Sequence, residues 1–216
     1  MTSHLYGRIF TNDQLLFENA YRRDPDNITV LNAMAGRHFV ENEFEQALSL
    51  LQKALAIEPK FARTHFNLGR TLLQTGRPVE AAVHLQQVVL MGNPKPDVYE
   101  LLAEALRKAG NLRGASYYYQ EALALAPGRT ANRVNLGLCL YQLGDLAEAI
   151  QHLQQAVADV PDQEVALFNL GMIYRQSGER KAAKYYLRRY LAVADPMAAE
   201  MRALASRWLA EEAQGQ

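Results

Sequence analysis

The chain has 216 residues, 23 of them basic and 23 acidic, and 49% are hydrophobic. That composition suits a folded domain working in water, and its zero net charge is unlike a nucleic-acid binder, which usually carries a basic excess. The single cysteine, Cys139, excludes an internal disulfide and any multi-thiolate metal centre, and no run approaches the ~18 apolar residues of a membrane span.

The first residues, MTSHLYGRIFTNDQ, have no charged start followed by an apolar stretch, so no secretory signal is expected. A cytoplasmic chain is the expectation, and a mature exported form with its leader removed would have the same composition. Leu5, Tyr6, Ile9 and Phe10 are apolar without an obvious partner; they either cover one end of the fold or dock onto another copy of the chain. Thr11 and Gln14 form a candidate capping box for a helix over about Asn12 to Arg23.

From Ile28 onward one unit recurs. Its clearest copy, residues 130–163, reads as two amphipathic helices. Val134, Leu136, Leu140 and Leu143 recur at helical spacing in the first; Leu146, Ala149, Ile150, Leu153, Ala156 and Val157 share one face of the second. Gly144-Asp145 breaks the pair, with Asp145 as candidate cap of the second helix, and Pro161 marks the end. Steps of 34 residues give starts at Ile28, Ala62, Pro96, Thr130, Glu164 and Ala198. The eighth position is then always small (Ala35, Gly69, Ala103, Gly137, Gly171, Ala205), as is the twentieth (Ala47, Ala81, Ala115, Ala149, Ala183). Small residues return where two crossing helices come closest. The linker proline is Pro59, Pro127 and Pro161, but arrives one step late as Pro94 and Pro196, and Gly92 to Pro96 is the stiffest linker of the chain. Tyr190 stands where the pattern wants a small residue, which predicts looser or rearranged packing there. Tyr117-Tyr118-Tyr119 and Tyr185-Tyr186 should each place one ring in the core. Ala198 to about Ala213 reads as a terminal helix with Met201, Leu204, Trp208 and Leu209 inward and Glu200, Arg202, Arg207, Glu211 and Glu212 outward.

This length and small–large pattern resembles the tetratricopeptide repeat family over roughly residues 11–213. The resemblance implies an all-α fold, a right-handed α-solenoid of stacked antiparallel helix pairs. It divides the chain into an N-terminal segment with a half-repeat helix (1–27), five repeats (28–61, 62–95, 96–129, 130–163 and 164–197) and a C-terminal capping helix (198–216), all one solenoid domain. The family's preferred Trp at position four is absent, replaced by Leu31, His65, Tyr99, Arg133 and Leu167.

No catalytic constellation is legible. The histidines are His4, His38, His65, His84 and His152; His84 and His152 share a repeat position but stand two repeats apart, and no helix carries a ligand pair with a third ligand in view. The glycines of the NLG motif lie inside helices and form no phosphate loop. Neither an enzyme, a metal nor a cofactor is expected.

In proteins of the resembled family the first helices line a groove that holds partner segments. The matching positions here carry Asn67, Asn135 and Asn169, one repeat position in three repeats. Asn is about 0.6 kcal/mol worse than Ala in a helix, so three on one face ask for a reason, and a carboxamide matches both groups of a peptide bond. Arg63, Phe66, Arg70, Arg107, Tyr141, Gln142, Phe168, Arg175 and Gln176 lie on the same face. The family's clamp for C-terminal carboxylates is not matched: its positions hold Asn32, Gly36, Asn67, Asp97 and Leu101, of which only Asn67 agrees. The expected function is therefore a non-catalytic interaction module or adaptor that holds a peptide or helix of a protein partner. The alternative is a structural scaffold, possible as a homo-oligomer, that uses its N-terminal end and a convex basic patch of Arg180, Lys181, Lys184, Arg188 and Arg189, which faces a single nearby acid, Glu179.

Overall fold

The computed structural model describes residue 17, residues 19–92 and residues 94–214, and among these there is no strand. Residues 19–23 are helical. Five helix pairs follow: α1 (Ile28–Val40) with α2 (Phe44–Ile57), α3 (Ala62–Gln74) with α4 (Pro78–Leu90), α5 (Pro96–Lys108) with α6 (Leu112–Leu125), α7 (Thr130–Leu143) with α8 (Leu146–Asp159), and α9 (Glu164–Gln176) with α10 (Arg180–Val193). A last helix, α11 (Ala199–Gln214), ends the described chain. The expected capping box at Thr11 and the apolar residues Leu5 to Phe10 lie outside the described residues.

The chain divides into two compact units between Ala109 and Gly110, in the turn that joins α5 to α6. In the first unit α1 packs on α2, α2 on α3, α3 on α4 and α4 on α5, and the first helices α1, α3 and α5 also touch in sequence. In the second, α6 packs on α7, α7 on α8, α8 on α9, α9 on α10 and α10 on α11, with α7 and α9 touching directly. Helices of 13–14 residues are too short to be stable alone; each holds its conformation by burying one face on its neighbours in the chain.

The small residues of the pattern sit at the closest approaches. A Cβ added to Gly69 would stand 2.5 Å from Leu85 Cγ, one on Gly137 2.8 Å from Leu153 Cγ, and one on Gly171 2.5 Å from Leu187 Cδ2. Ala47, Ala81, Ala115, Ala149 and Ala183 are all fully buried, as are Leu102, Leu136 and Leu170. Inside each pair the turn places one residue in the left-handed region, at Asn42, Gly76, Gly110, Gly144 and Gly178. The turn after α7 is closed by the Asp145 N–H donating to Leu140 O at 2.9 Å. The Asp145 side chain makes no capping bond, contrary to expectation: the backbone already satisfies this turn.

Three further expectations are decided. Packing at Tyr190 is rearranged and not loose: the ring is 1% exposed and lies against Phe168, with centroids 5.1 Å apart. In the first tyrosine run Tyr119 is buried, but neither Tyr185 nor Tyr186 enters the core; Tyr186 is half-buried and stacks on Tyr174. On α11, Trp208 is buried as expected, with Ala205, and Leu209 is half-buried; Met201 and Leu204, expected inward, are exposed, whereas Arg202 and Glu212 turn inward. The Arg202 guanidinium donates to Ala194 O, and the Glu212 carboxylate meets Arg180 and Lys184 at 3.4 and 3.8 Å. The Ala194 carbonyl, left at the end of α10, and two cations on its first two turns are thereby partnered.

Candidate functional site

The asparagine positions have three different fates. On the first unit, Asn32 of α1 is buried and organises a polar cluster across to α3: its Nδ2 donates to Ile28 O at 2.9 Å and to Thr64 Oγ1 at 2.8 Å, while its Oδ1 accepts from Asn67 Nδ2 at 3.0 Å. Asn67 is thus tied into the seam between two first helices. In the second unit Asn169 donates to Val165 O one turn back on its own helix. Asn135, half-buried on α7, makes no hydrogen bond among the described residues.

The remaining residues of this face fall into two sets. On the first unit Arg70 lies over the Phe39 ring at 3.9 Å, and burial pulls its pKa below the usual guanidinium value. Arg70 and Arg107 each bury an Nε that no described group accepts from. Lys108 pairs with Glu104 at 2.9 Å. Arg63 is exposed beside Phe66, at the rim of a cleft of ≈ 470 Å³ bounded by α3, α4 and the start of α5. On the second unit the Tyr141 hydroxyl on α7 donates to Gln176 Oε1 on α9 at 2.8 Å, cross-bracing neighbouring first helices. Arg175 and Gln142 are exposed, and Phe168 is half-buried against Tyr190.

The basic patch on α10 is largely engaged. Besides the Glu212 contacts of Arg180 and Lys184, Arg189 Nη2 donates to Pro161 O at 2.7 Å and Nη1 to the Tyr185 hydroxyl. Lys53 makes the same reach, to Pro25 O at 2.8 Å, from the same repeat position. A cation there latches the linker before its repeat. Lys181 and Arg188 are left exposed, so the expectation of one opposing acid, Glu179, is corrected by Glu212 from α11.

Two histidine features went unread in the sequence. His65 Nδ1 and His84 Nδ1 lie 3.0 Å apart, and His65 Nε2 meets Pro59 O at 2.9 Å. If the neutral His65 ring donates through Nε2, its Nδ1 accepts, and the His84 Nδ1–H is the donor of the shared bond. His84 is held below the ordinary imidazole pKa, first by burial and then by His65, with Glu80 opposing; His152 is lowered by burial and Arg133, with Glu148 opposing. A lowered folded pKa means that the unfolded chain binds more protons, so stability is complete above about pH 6.5 and is lost as pH falls through the folded values. Thermal melts should therefore be flat near neutrality and drop on acidification below about pH 6. His84→Gln should lessen that slope, and an unchanged slope would count against the assignment. The other feature is a trio of His38, Glu41 and Glu43 between α1 and α2, in which His38 Nδ1 bonds Glu43 Oε2 at 2.6 Å; it bridges the turn around left-handed Asn42.

Comparison with known proteins adds the following. The family model of the tetratricopeptide repeat matches residues 38–105, 106–165 and 140–207. The chain is 27% identical over 126 residues to the Type IV pilus assembly protein PilF of Pseudomonas aeruginosa, covering 57% of this chain and 50% of that one. It is 32% identical over 91 residues to the peroxisomal targeting signal receptor of Saccharomyces cerevisiae, covering 40% of this chain and 15% of the receptor. It therefore spans half or less of the length of these relatives. Among solved structures, YrrB, described as a repeat protein with an unusual peptide-binding site, superposes with a TM-score of 0.79 at 22% identity, over 88% of this chain and 97% of that one. No helix among the described residues is long and apolar enough to cross a membrane.

Proposed function

Since the chain belongs to the tetratricopeptide repeat family, whose members are protein-interaction modules, we propose that it is a non-catalytic adaptor and that its first helices hold an extended segment of a protein partner. The observation that carries this reading is Asn135: a half-buried carboxamide on the first-helix face with both its donor and its acceptor unused. Neither amide atom is sealed from solvent, so a ligand backbone can take up both its donor and its acceptor in place of water. Arg175 and Gln142, exposed on the same face of the second unit, offer further contacts, and the Tyr141–Gln176 bond holds α7 and α9 in fixed register beneath them. Asn67 supports the reading less, because Asn32 already occupies its amide.

The similarity to a pilus assembly protein and to a targeting-signal receptor is in keeping with a partner-holding role, and neither activity is carried over. A cytoplasmic location is proposed, with an exported one kept as the alternative because of the pilus relative.

The test is a titration of the partner recovered by affinity capture and mass spectrometry from the native organism. Asn135→Ala should leave the helical circular dichroism unchanged and weaken binding several-fold. Equal affinity of wild type and variant would remove the support on which the groove reading stands.

A further inference from the structure

The cleft on the first unit has an internal counterpart that shows what fits it. At the fifth and twenty-seventh repeat positions the last pair carries Phe168 and Tyr190, and the tyrosine ring, 1% exposed, fills the space beside the phenylalanine. The second pair carries Phe66 and Val88 at these positions. Both pairs share the late linker proline, Pro94 and Pro196. Where Tyr190 supplies a ring, Val88 supplies two methyl groups, and a cleft of ≈ 470 Å³ stands open between Phe66, Val88, Met91 and Val98. The other pairs have alanine at the twenty-seventh position but no phenylalanine at the fifth: Asn32, Glu100 and Val134 stand there.

The linker also keeps the space open. α4 ends at Leu90, one residue earlier in its repeat than α2, α6, α8 and α10, and Gly92 turns the chain away in the left-handed region. Two exposed cations, Arg63 and Lys95, stand on the rim and have no partner among the described residues; Asp97 lies on the α5 side.

We propose that this cleft is an anchor for one aromatic side chain of a protein partner, seated on Phe66 and Val88 as Tyr190 is seated on Phe168, with a neighbouring carboxylate of the same segment held by Arg63 and Lys95. It deepens the adaptor reading given above and rests on it. The volume suits an aromatic side chain with adjoining backbone. Buried aromatic anchors of this kind supply a large share of the affinity of a peptide contact, and the rim charges select the sequence around the anchor. Segments carrying Phe-Asp or Tyr-Glu are the class it would take.

The experiment titrates the full chain, with methyl-labelled valine and methionine, with short Gly-Ser peptides that carry a central Phe-Asp, Ala-Asp or Phe-Lys. The Phe-Asp peptide should shift the methyl signals of Val88, Met91 and Val98. The Ala-Asp peptide should bind at least about tenfold more weakly and Phe-Lys several-fold more weakly. Val88→Tyr, which gives the cleft the ring that the last pair already has, should abolish binding while preserving the fold. Should that variant not fold, the solvent-facing double variant Arg63→Glu, Lys95→Glu replaces it and should reverse the preference between Phe-Asp and Phe-Lys. Methyl signals unmoved at millimolar peptide, unaltered affinity in Val88→Tyr, or an unreversed preference in the double variant would overturn the proposal. If Phe-Asp instead moved only signals around Asn135 and Gln176, the cleft would be excluded and the adaptor reading would survive.

Discussion

Gly171→Val is expected to lower stability by about 3 kcal/mol or more, at the upper end of overpacking costs. The site has no room: even a Cβ there would fall 2.5 Å from Leu187 Cδ2, 2.6 Å from its Cγ and 3.3 Å from the Leu187 backbone nitrogen. The last contact matters most, because a leucine tip can rotate away but a helix backbone moves only with the whole of α10. Replacing Gly in a helix normally gains up to about 1 kcal/mol, so a net loss identifies close packing as the cause. In thermal melts the midpoint should fall by roughly 6–12 °C, at about 2–4 °C per kcal/mol for a chain of this size. Gly171→Ala combined with Leu187→Ala should cost less than the sum of the single changes, since each relieves the other. A neutral Gly171→Val, or strict additivity in the pair, would mean that α9 and α10 are not held at this separation.

Asn32→Ala is the second large effect, expected at about 2–4 kcal/mol. Asn32 is 2% exposed, and its carboxamide joins three partners: Ile28 O, Thr64 Oγ1 and Asn67 Nδ2. Truncation leaves Thr64, itself fully buried, and the Asn67 amide without their shared partner, and opens a small cavity as well. Denaturant unfolding should show the loss. Thr64→Val alone should cost less, because Asn32 keeps its other two bonds. A double-mutant cycle between Asn32→Ala and Asn67→Ala should give a coupling of about 0.5–3 kcal/mol. No coupling would release Asn67 from its structural duty and return it to the proposed partner-binding face.

These two predictions separate what was legible in the sequence from what was not. Gly171 could be read from spacing alone: a small residue every 34 positions, in phase with an alanine twelve residues later, is the mark of two helices crossing closely. Asn32 could not. Its neighbours in the cluster, Thr64 and Asn67, are one repeat away, and no local pattern says that an amide at the fifth position turns inward to meet them. The candidate site suffered in the same way. Asn67, Asn135 and Asn169 share a register, but one is bonded to a neighbouring helix, one to its own, and one to nothing among the described residues. Arg189 looked like part of a charged surface, and its reach to Pro161 O depends on the path of a linker 28 residues earlier.

The sequence by itself determined the helices, their breaks and their pairing, because those follow from short-range periodicity, from small residues at fixed phase and from prolines that forbid continuation. The tertiary structure decided which polar groups are satisfied within the chain and which are not, and which register position is filled by a ring and which is left open. Those outcomes depend on side chains brought together from different repeats, and a hydrogen bond or a cavity belongs to the pair of surfaces that meet, not to either stretch of chain alone.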